Sequence, residues 1–148
     1  MKYLAITFSF LFFISCSVEE PTKQYTTAIR NTGNQTLHVL ILGDTIGRNY
    51  PVYDTLVNTT LSTGESFKRT YRNVAFSGFF AVINYSKFTF IGTNKGYICD
   101  DVNNNDSLCF TNKKNLSKEY NRDNFTLENG IYYYDITQED YENAHELP

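Results

Sequence analysis

The 148-residue chain predicts a mainly β fold, a single antiparallel β-sandwich-like domain with a short C-terminal helix. Apolar residues recur at every second position over short runs, the spacing that gives a strand one buried face. Clusters of Asn, Gly, Ser and Thr interrupt these runs, as turns do in all-β domains. No window carries the 3.6-residue period of a long amphipathic helix.

The runs can be taken in order. Tyr25, Thr27 and Ile29 share one face, and Leu37, Val39 and Ile41 share another. Between them Asn31-Thr32-Gly33-Asn34 is a turn signal, so the pair is expected to form a β-hairpin. Leu40 and Leu42 fill the second face of that later run, which marks a central strand. Residues 43–52 hold two Gly and Pro51 and are expected as a loop or an interrupted edge strand. Residues 56–61 suit a short strand and Ser62-Thr63-Gly64-Glu65 a turn. Phe67 and Tyr71 then alternate with Lys68, Thr70 and Arg72, a strand with one solvated face. Residues 79–84 form a dense apolar strand, and Tyr85-Ser86-Lys87 is expected to turn it into a further strand over 88–91. Gly92 to Gly96 turns again into Tyr97-Ile98-Cys99, with Cys109-Phe110 returning opposite. Residues 131–136 are the last strand. Thr137 can then cap a short helix, with Glu139 and Asp140 in its first turn and Tyr141 and Ala144 on one side.

The N-terminus has a separate logic. Met1-Lys2 is a short positive start, residues 3–14 are apolar, and Ser15-Cys16-Ser17 sets one cysteine among small residues. This is the three-part layout of an export signal. The apolar run is too short for a spanning helix, which needs about 20 residues, and Glu19 and Glu20 follow at once. Phe13-Ile14-Ser15-Cys16 resembles the lipobox of bacterial lipoproteins, where the Cys becomes the lipidated first residue. The expected organisation is a signal peptide over 1–15, a lipidated tether over 16–24 and the sandwich over 25–148.

Composition bounds the rest. Loss of residues 1–15 removes one cation, Lys2, and moves the formal net charge from −3 to −4. A mildly acidic chain argues against nucleic acid or an anionic membrane face as a partner, because both reward clustered Lys and Arg. Once Cys16 is lipidated, only Cys99 and Cys109 remain, in a compartment that permits disulfides. A Cys99–Cys109 bond is expected; the alternative, a metal held by two thiols, lacks a nearby His or second Cys pair.

A lipobox, an early Asn-x-Gly turn, a Gly-Glu-Ser before a mid-chain strand and the closing Tyr134-Asp135-Ile136-Thr137-Gln138-Glu139-Asp140-Tyr141-Glu142-Asn143-Ala144 resemble small uncharacterised lipoproteins of Bacteroidota. That resemblance implies an outer-membrane address and a β-rich fold, and no chemistry. Ser17-Val18-Glu19-Glu20 also resembles the acidic tract that sends such lipoproteins to the cell surface, while the periplasmic face stays open as the alternative. Asp44-Thr45-Ile46, Asp54-Thr55-Leu56 and Asp106-Ser107-Leu108 each resemble the Asp-(Ser/Thr)-apolar sequon of Bacteroidota O-glycosylation. Thr45, Thr55 and Ser107 are the acceptors this implies.

Residues 100–107 alone have ligand-like density. Asp101, Asn103 and Asn105 alternate as the first ligands of an EF-hand loop do, and hard oxygens suit Ca²⁺. Asp106 stands where that loop needs Gly and Asn112 where it needs Glu. A solvated loop is the simpler account, and a weak calcium site the residual one. No other cofactor is expected. His38 lies among apolar strand residues, which suits a structural histidine, and His145 lies in a terminus expected to fray. No nucleophile, metalloprotease, phosphate or dinucleotide motif occurs. Tyr132 and Tyr134 share a face and Tyr133 takes the other, which suits a covered core or an exposed aromatic platform.

These features point to a non-enzymatic envelope lipoprotein held to the membrane by its lipid, with a protein or glycan partner and a binding or assembly role. The alternative is a carbohydrate- or ligand-binding accessory module, assisted by calcium.

Overall fold

A computed structural model describes residues 20–44, 54–79, 82–101, 103, 105, 107–110, 116 and 122–148. Two sheets pack face to face. One has the order β4 (Ser66–Asn73), β1 (Lys23–Asn31), β8 (Ile131–Ile136), β7 (Thr126–Glu128). The other has the order β3 (Asp54–Leu61), β2 (Leu37–Asp44), β5 (Val82–Phe90), β6 (Lys95–Asp100), β9 (His145–Glu146). The neighbours run antiparallel except β1 and β8, which are parallel from Thr26↔Ile131 to Asn31↔Ile136. The sandwich expected from the alternation is therefore present, with one parallel pair at the centre of the smaller sheet.

Alternation explains the core. Ile29, Tyr134 and Ile136 from the smaller sheet meet Leu37, Val39, Ile41, Phe88 and Phe90 from the larger, each 0–1% exposed. Burying one such side chain is worth about 1.5–3 kcal/mol, so these eight outweigh any surface pair. β2 is central, as its two-sided apolar pattern requires. Its inward residues are fully buried, while His38, Leu40 and Leu42 on the outer face are half-buried.

Three expectations need correction. Residues 31–36 do not close a hairpin: β1 and β2 lie in different sheets, and the turn arches from one to the other. The cause is Asn31, whose side chain is buried and points into the arch. Its amide donates to Gln35 O (2.8 Å) and Leu61 O (2.9 Å), and its Oδ1 accepts from Gly33 N (3.1 Å). The backbone closes the same corner through Asn31 N–Glu65 O (3.0 Å) and Gly64 N–Asn31 O (2.7 Å), so the 62–65 turn arches beside it.

Second, Tyr85-Ser86-Lys87 is no turn. It lies inside β5, which runs unbroken from Val82 to Phe90 between β2 and β6. Ser86 faces inward between Ile41 and Cys99 and is 1% exposed. Asn84 is an extra residue at a bulge opposite Leu42 and Gly43, so Ile83, Ser86, Phe88 and Phe90 all face the core.

Third, the C-terminus is pinned. His145 pairs with Gly96 and its ring nitrogen lies 3.3 Å from Cys109 O. Leu147 is buried, and Asn94 binds its backbone at both N and O (2.8 Å each). Gly96 makes this closeness possible, because a Cβ there would stand 2.8 Å from Leu147 Cδ1, as well as 2.0 Å from Phe88 O on the neighbouring strand.

The short helix is present as α1 (Gln138–Glu142), capped by Thr137 in a reciprocal box with Asp140. β1 begins at Lys23, so Lys23 and Gln24, expected in the tether, already pair with Asn73 and Arg72.

Candidate functional site at the aromatic loop end

The strand registers sort the connections by length. Where β1 ends, the arches 31–36 and 62–65 and the β5–β6 turn are short and tight. Where β1 begins, β2 ends near the start of β3 and β4 ends beside Lys23. β6 ends beside Tyr85 at the same level. The strand ends that flank the connections 45–53 and 74–81, and the end of β6 that opens 101–125, thus lie where β1 begins, while Thr126 at the far side of 101–125 is level with Ala28. Loops on a rigid scaffold are where binding residues concentrate.

An aromatic group fills this end. Tyr25 at the start of β1 stacks on Tyr71 of β4, with ring centres 5.6 Å apart. Phe76, from the segment after β4, lies 4.3 Å from Tyr132 of β8, 5.2 Å from Phe125 and 5.9 Å from Tyr25. The Arg122 guanidinium stands 5.7 Å from the Phe76 ring centre and 5.6 Å from that of Tyr132. Tyr71 is buried; Tyr25, Phe76, Phe125 and Tyr132 are half-buried, and Val74 (43%) and Leu127 (57%) beside them are exposed. The ring series continues inward through Phe125–Tyr134 (5.8 Å), Tyr134–Phe110 (6.4 Å) and Phe110–Tyr97 (3.8 Å). Its inner members are core and its outer members are surface.

Local chemistry places these rings. Asn129 and Gly130, at φ 50° and 79°, form a two-residue turn joining β7 to β8. That turn sets Leu127 across from Tyr132. The Tyr71 hydroxyl accepts from Ser77 N (3.0 Å), and Asn73 Nδ2 donates to Ser77 Oγ (3.2 Å), which folds the 74–77 segment back over the sheet end.

Burial also shapes the tyrosines. It pushes Tyr97 up to about 12, helped by Asp140 and Glu139, while the Tyr97 hydroxyl donates to Asp140 O at 2.6 Å. Tyr134 is fully enclosed and is also raised well above its ordinary value, by burial first and then by Asp140 and Tyr97. Tyr85 is raised by burial and by Asp100.

The outer face of the smaller sheet carries a closed electrostatic cluster. Arg30 grips Asp135 (2.6 and 3.0 Å) and Glu128 (2.7 and 2.9 Å), both bidentate, and lies 3.9 Å over the Tyr133 ring. These bonds hold Glu128 below the usual carboxylate range and Arg30 above its own. Four guanidinium N–H bonds are committed, so the cluster is a clamp across β1, β8 and β7.

The residues singled out in the sequence divide clearly. Cys99 and Cys109 are bonded and buried, and Ile98 N donates to Leu108 O (2.8 Å) alongside them. Asp101, Asn103 and Asn105 lie at the loop end. Asp100 takes Asn103 N (3.2 Å) and Nδ2 (2.7 Å) on its two oxygens, and Asn105 Oδ1 takes Ser107 Oγ (2.8 Å). Among the described residues no group of three or more His, Cys, Asp or Glu side chains is placed to hold a metal. Thr55 is exposed on the edge strand β3, and Ser107 is exposed in the loop. Cys16 and Thr45 lie outside the described residues. His38 is half-buried and bonded to Asn58 Oδ1 (3.0 Å), the structural placement its neighbours suggest. Tyr134 faces the core, Tyr132 joins the surface rings, and Tyr133 lies under Arg30. No local pattern marks Phe76, Phe125 and Arg122, because only the fold brings their distant segments together.

No helix among the described residues is long and apolar enough to cross a membrane. No known family, curated protein or solved structure matches the chain.

Proposed function

We propose that this chain is a non-enzymatic envelope lipoprotein, anchored through Cys16 at the outer membrane, that engages its partner through the aromatic loop end. One observation carries the proposal: the half-buried rings Tyr25, Phe76 and Tyr132, with exposed Val74 and Leu127, sit at the end where the tether joins. Half-buried aromatics beside an Arg are the surface composition that favours recognition. The non-enzymatic reading draws on the structural use of several ionisable side chains. Glu128 and Asp135 are held by Arg30, Asp140 serves the helix cap, and both histidines are hydrogen-bonded.

Photocrosslinking in intact host envelopes tests the surface. A photoreactive residue at position 127 is expected to give discrete adducts, and one at position 91, at the tight-turn end, none. Adducts from position 91 with none from position 127 would move the contact to the other end.

A second reading, a glycan-binding module assisted by calcium, draws on the same rings because Asp101, Asn103 and Asn105 share that end. Calorimetric titration with host-relevant polysaccharides, with and without calcium, tests it. Binding that Tyr132→Ala abolishes would favour it, and heats equal to dilution in every titration would remove it.

A further inference from the structure

The anchored reading above leads to a more specific assignment of what covers the aromatic end. We propose that it docks into the headgroup zone of the bilayer that holds the lipid tether. From Cys16 to Lys23 there are seven residues, a span of at most about 25 Å. The end of the sandwich where β1 begins therefore cannot leave the neighbourhood of the headgroups. A short tether holds such a surface at an effective concentration of roughly millimolar, so a weak contact is populated. The surface has the composition for it. Tyr25, Phe76 and Tyr132 are half-buried rings, and two Tyr present the polar tip and apolar body that suit a membrane interface. Of the three exposed large apolar side chains among the described residues, Val74 (43%) and Leu127 (57%) lie here, and Ile91 (48%) lies at the opposite end. The chain as a whole is acidic, but around the rings Lys23, Arg72 and Arg122 are exposed and match lipid phosphates, with Glu20 and Asp123 tempering their charge. The docked orientation turns the tight-turn end outward.

The chain has no Trp, so one introduced Trp is a sole reporter. Full-length lipidated Val74→Trp, Leu127→Trp and Ile91→Trp proteins are placed in phosphatidylethanolamine–phosphatidylglycerol vesicles containing brominated acyl chains. The expected result is a blue shift and loss of emission for the first two and no change for Ile91→Trp. Because all three positions are exposed, the substitutions leave the core untouched. Protein that floats with the vesicles yet shows no quenching at positions 74 and 127 overturns the docking and leaves the anchor standing. Protein that does not float overturns the anchor, and the docking with it. A blue shift that grows with protein concentration in the absence of lipid assigns the surface to a second copy and overturns the proposal. So does a shift produced by soluble polysaccharide but not by lipid.

Discussion

Asn31 is the residue on which the smaller-to-larger sheet crossing turns. Its side chain is fully buried and makes three hydrogen bonds to backbone groups, two within the 31–36 arch and one at the end of β3. Asn31→Ala leaves two carbonyls and one N–H without that partner in the interior, and stranded polar groups cost about 1–3 kcal/mol each. A loss of about 3 kcal/mol is expected in urea unfolding; a loss indistinguishable from that of a surface substitution would contradict this role. Tyr97 and Tyr134 govern the alkaline limit. Both keep their protons longer in the fold than in the unfolded chain, whose tyrosines ionise near 10. The stability they contribute is full below pH 10 and is lost as the pH climbs through about 12, where Tyr97 ionises. A phenolate at Tyr97 can no longer donate to Asp140 O. Absorbance titration at pH 10–12 is expected to show these tyrosines ionising together with loss of the near-ultraviolet dichroism of the fold. Ionisation of every tyrosine near pH 10 with the fold intact would oppose it.

At the scale of the element, the β6 edge depends on a covalent staple. Cys99 and Cys109, ten residues apart, join β6 to the returning segment. Closing a loop of this size is worth about 3 kcal/mol on the chain-entropy argument. The Cys99→Ser/Cys109→Ser double variant is expected to lose about that much, measured by thermal unfolding against the oxidised protein. An unchanged midpoint would mean that the β6–β9 edge holds without the bond. Both the staple and the α1 cap were legible in the sequence because each is local: two cysteines, or Thr137 and Asp140 three apart, suffice. The β1–β2 arch was not, since an Asn-x-Gly turn serves a hairpin or an arch equally. What decides is whether Asn31 finds Leu61, thirty residues on. Tyr85-Ser86-Lys87 misled for a related reason. Polar residues suit a turn, but two flanking strands absorb them in β5, with Ser86 inward and Lys87 on the outer face. The hairpin signal that the fold uses is Asn129-Gly130, which joins β7 to β8.

For the whole molecule, the chief consequence is polarity along the sandwich. One end is made of tight turns, a capped helix and a pinned C-terminus. The other gathers the long connections, the half-buried rings, the Asp/Asn loop and the entry of the tether. No local pattern announces this, because Tyr25, Phe76, Arg122 and Tyr132 come together only through strand register. On the proposed anchoring through Cys16, seven residues before Lys23, the arrangement would give the protein an inner and an outer end, the aromatic end being the inner one. All of this depends on acylation of Cys16. Intact-mass and N-terminal peptide analysis of the protein from host envelopes tests it most directly. The expected product begins at Cys16 and carries the mass of two or three fatty chains; a product that begins at Met1, or that bears an unmodified thiol at Cys16, would contradict the anchor and the orientation built on it.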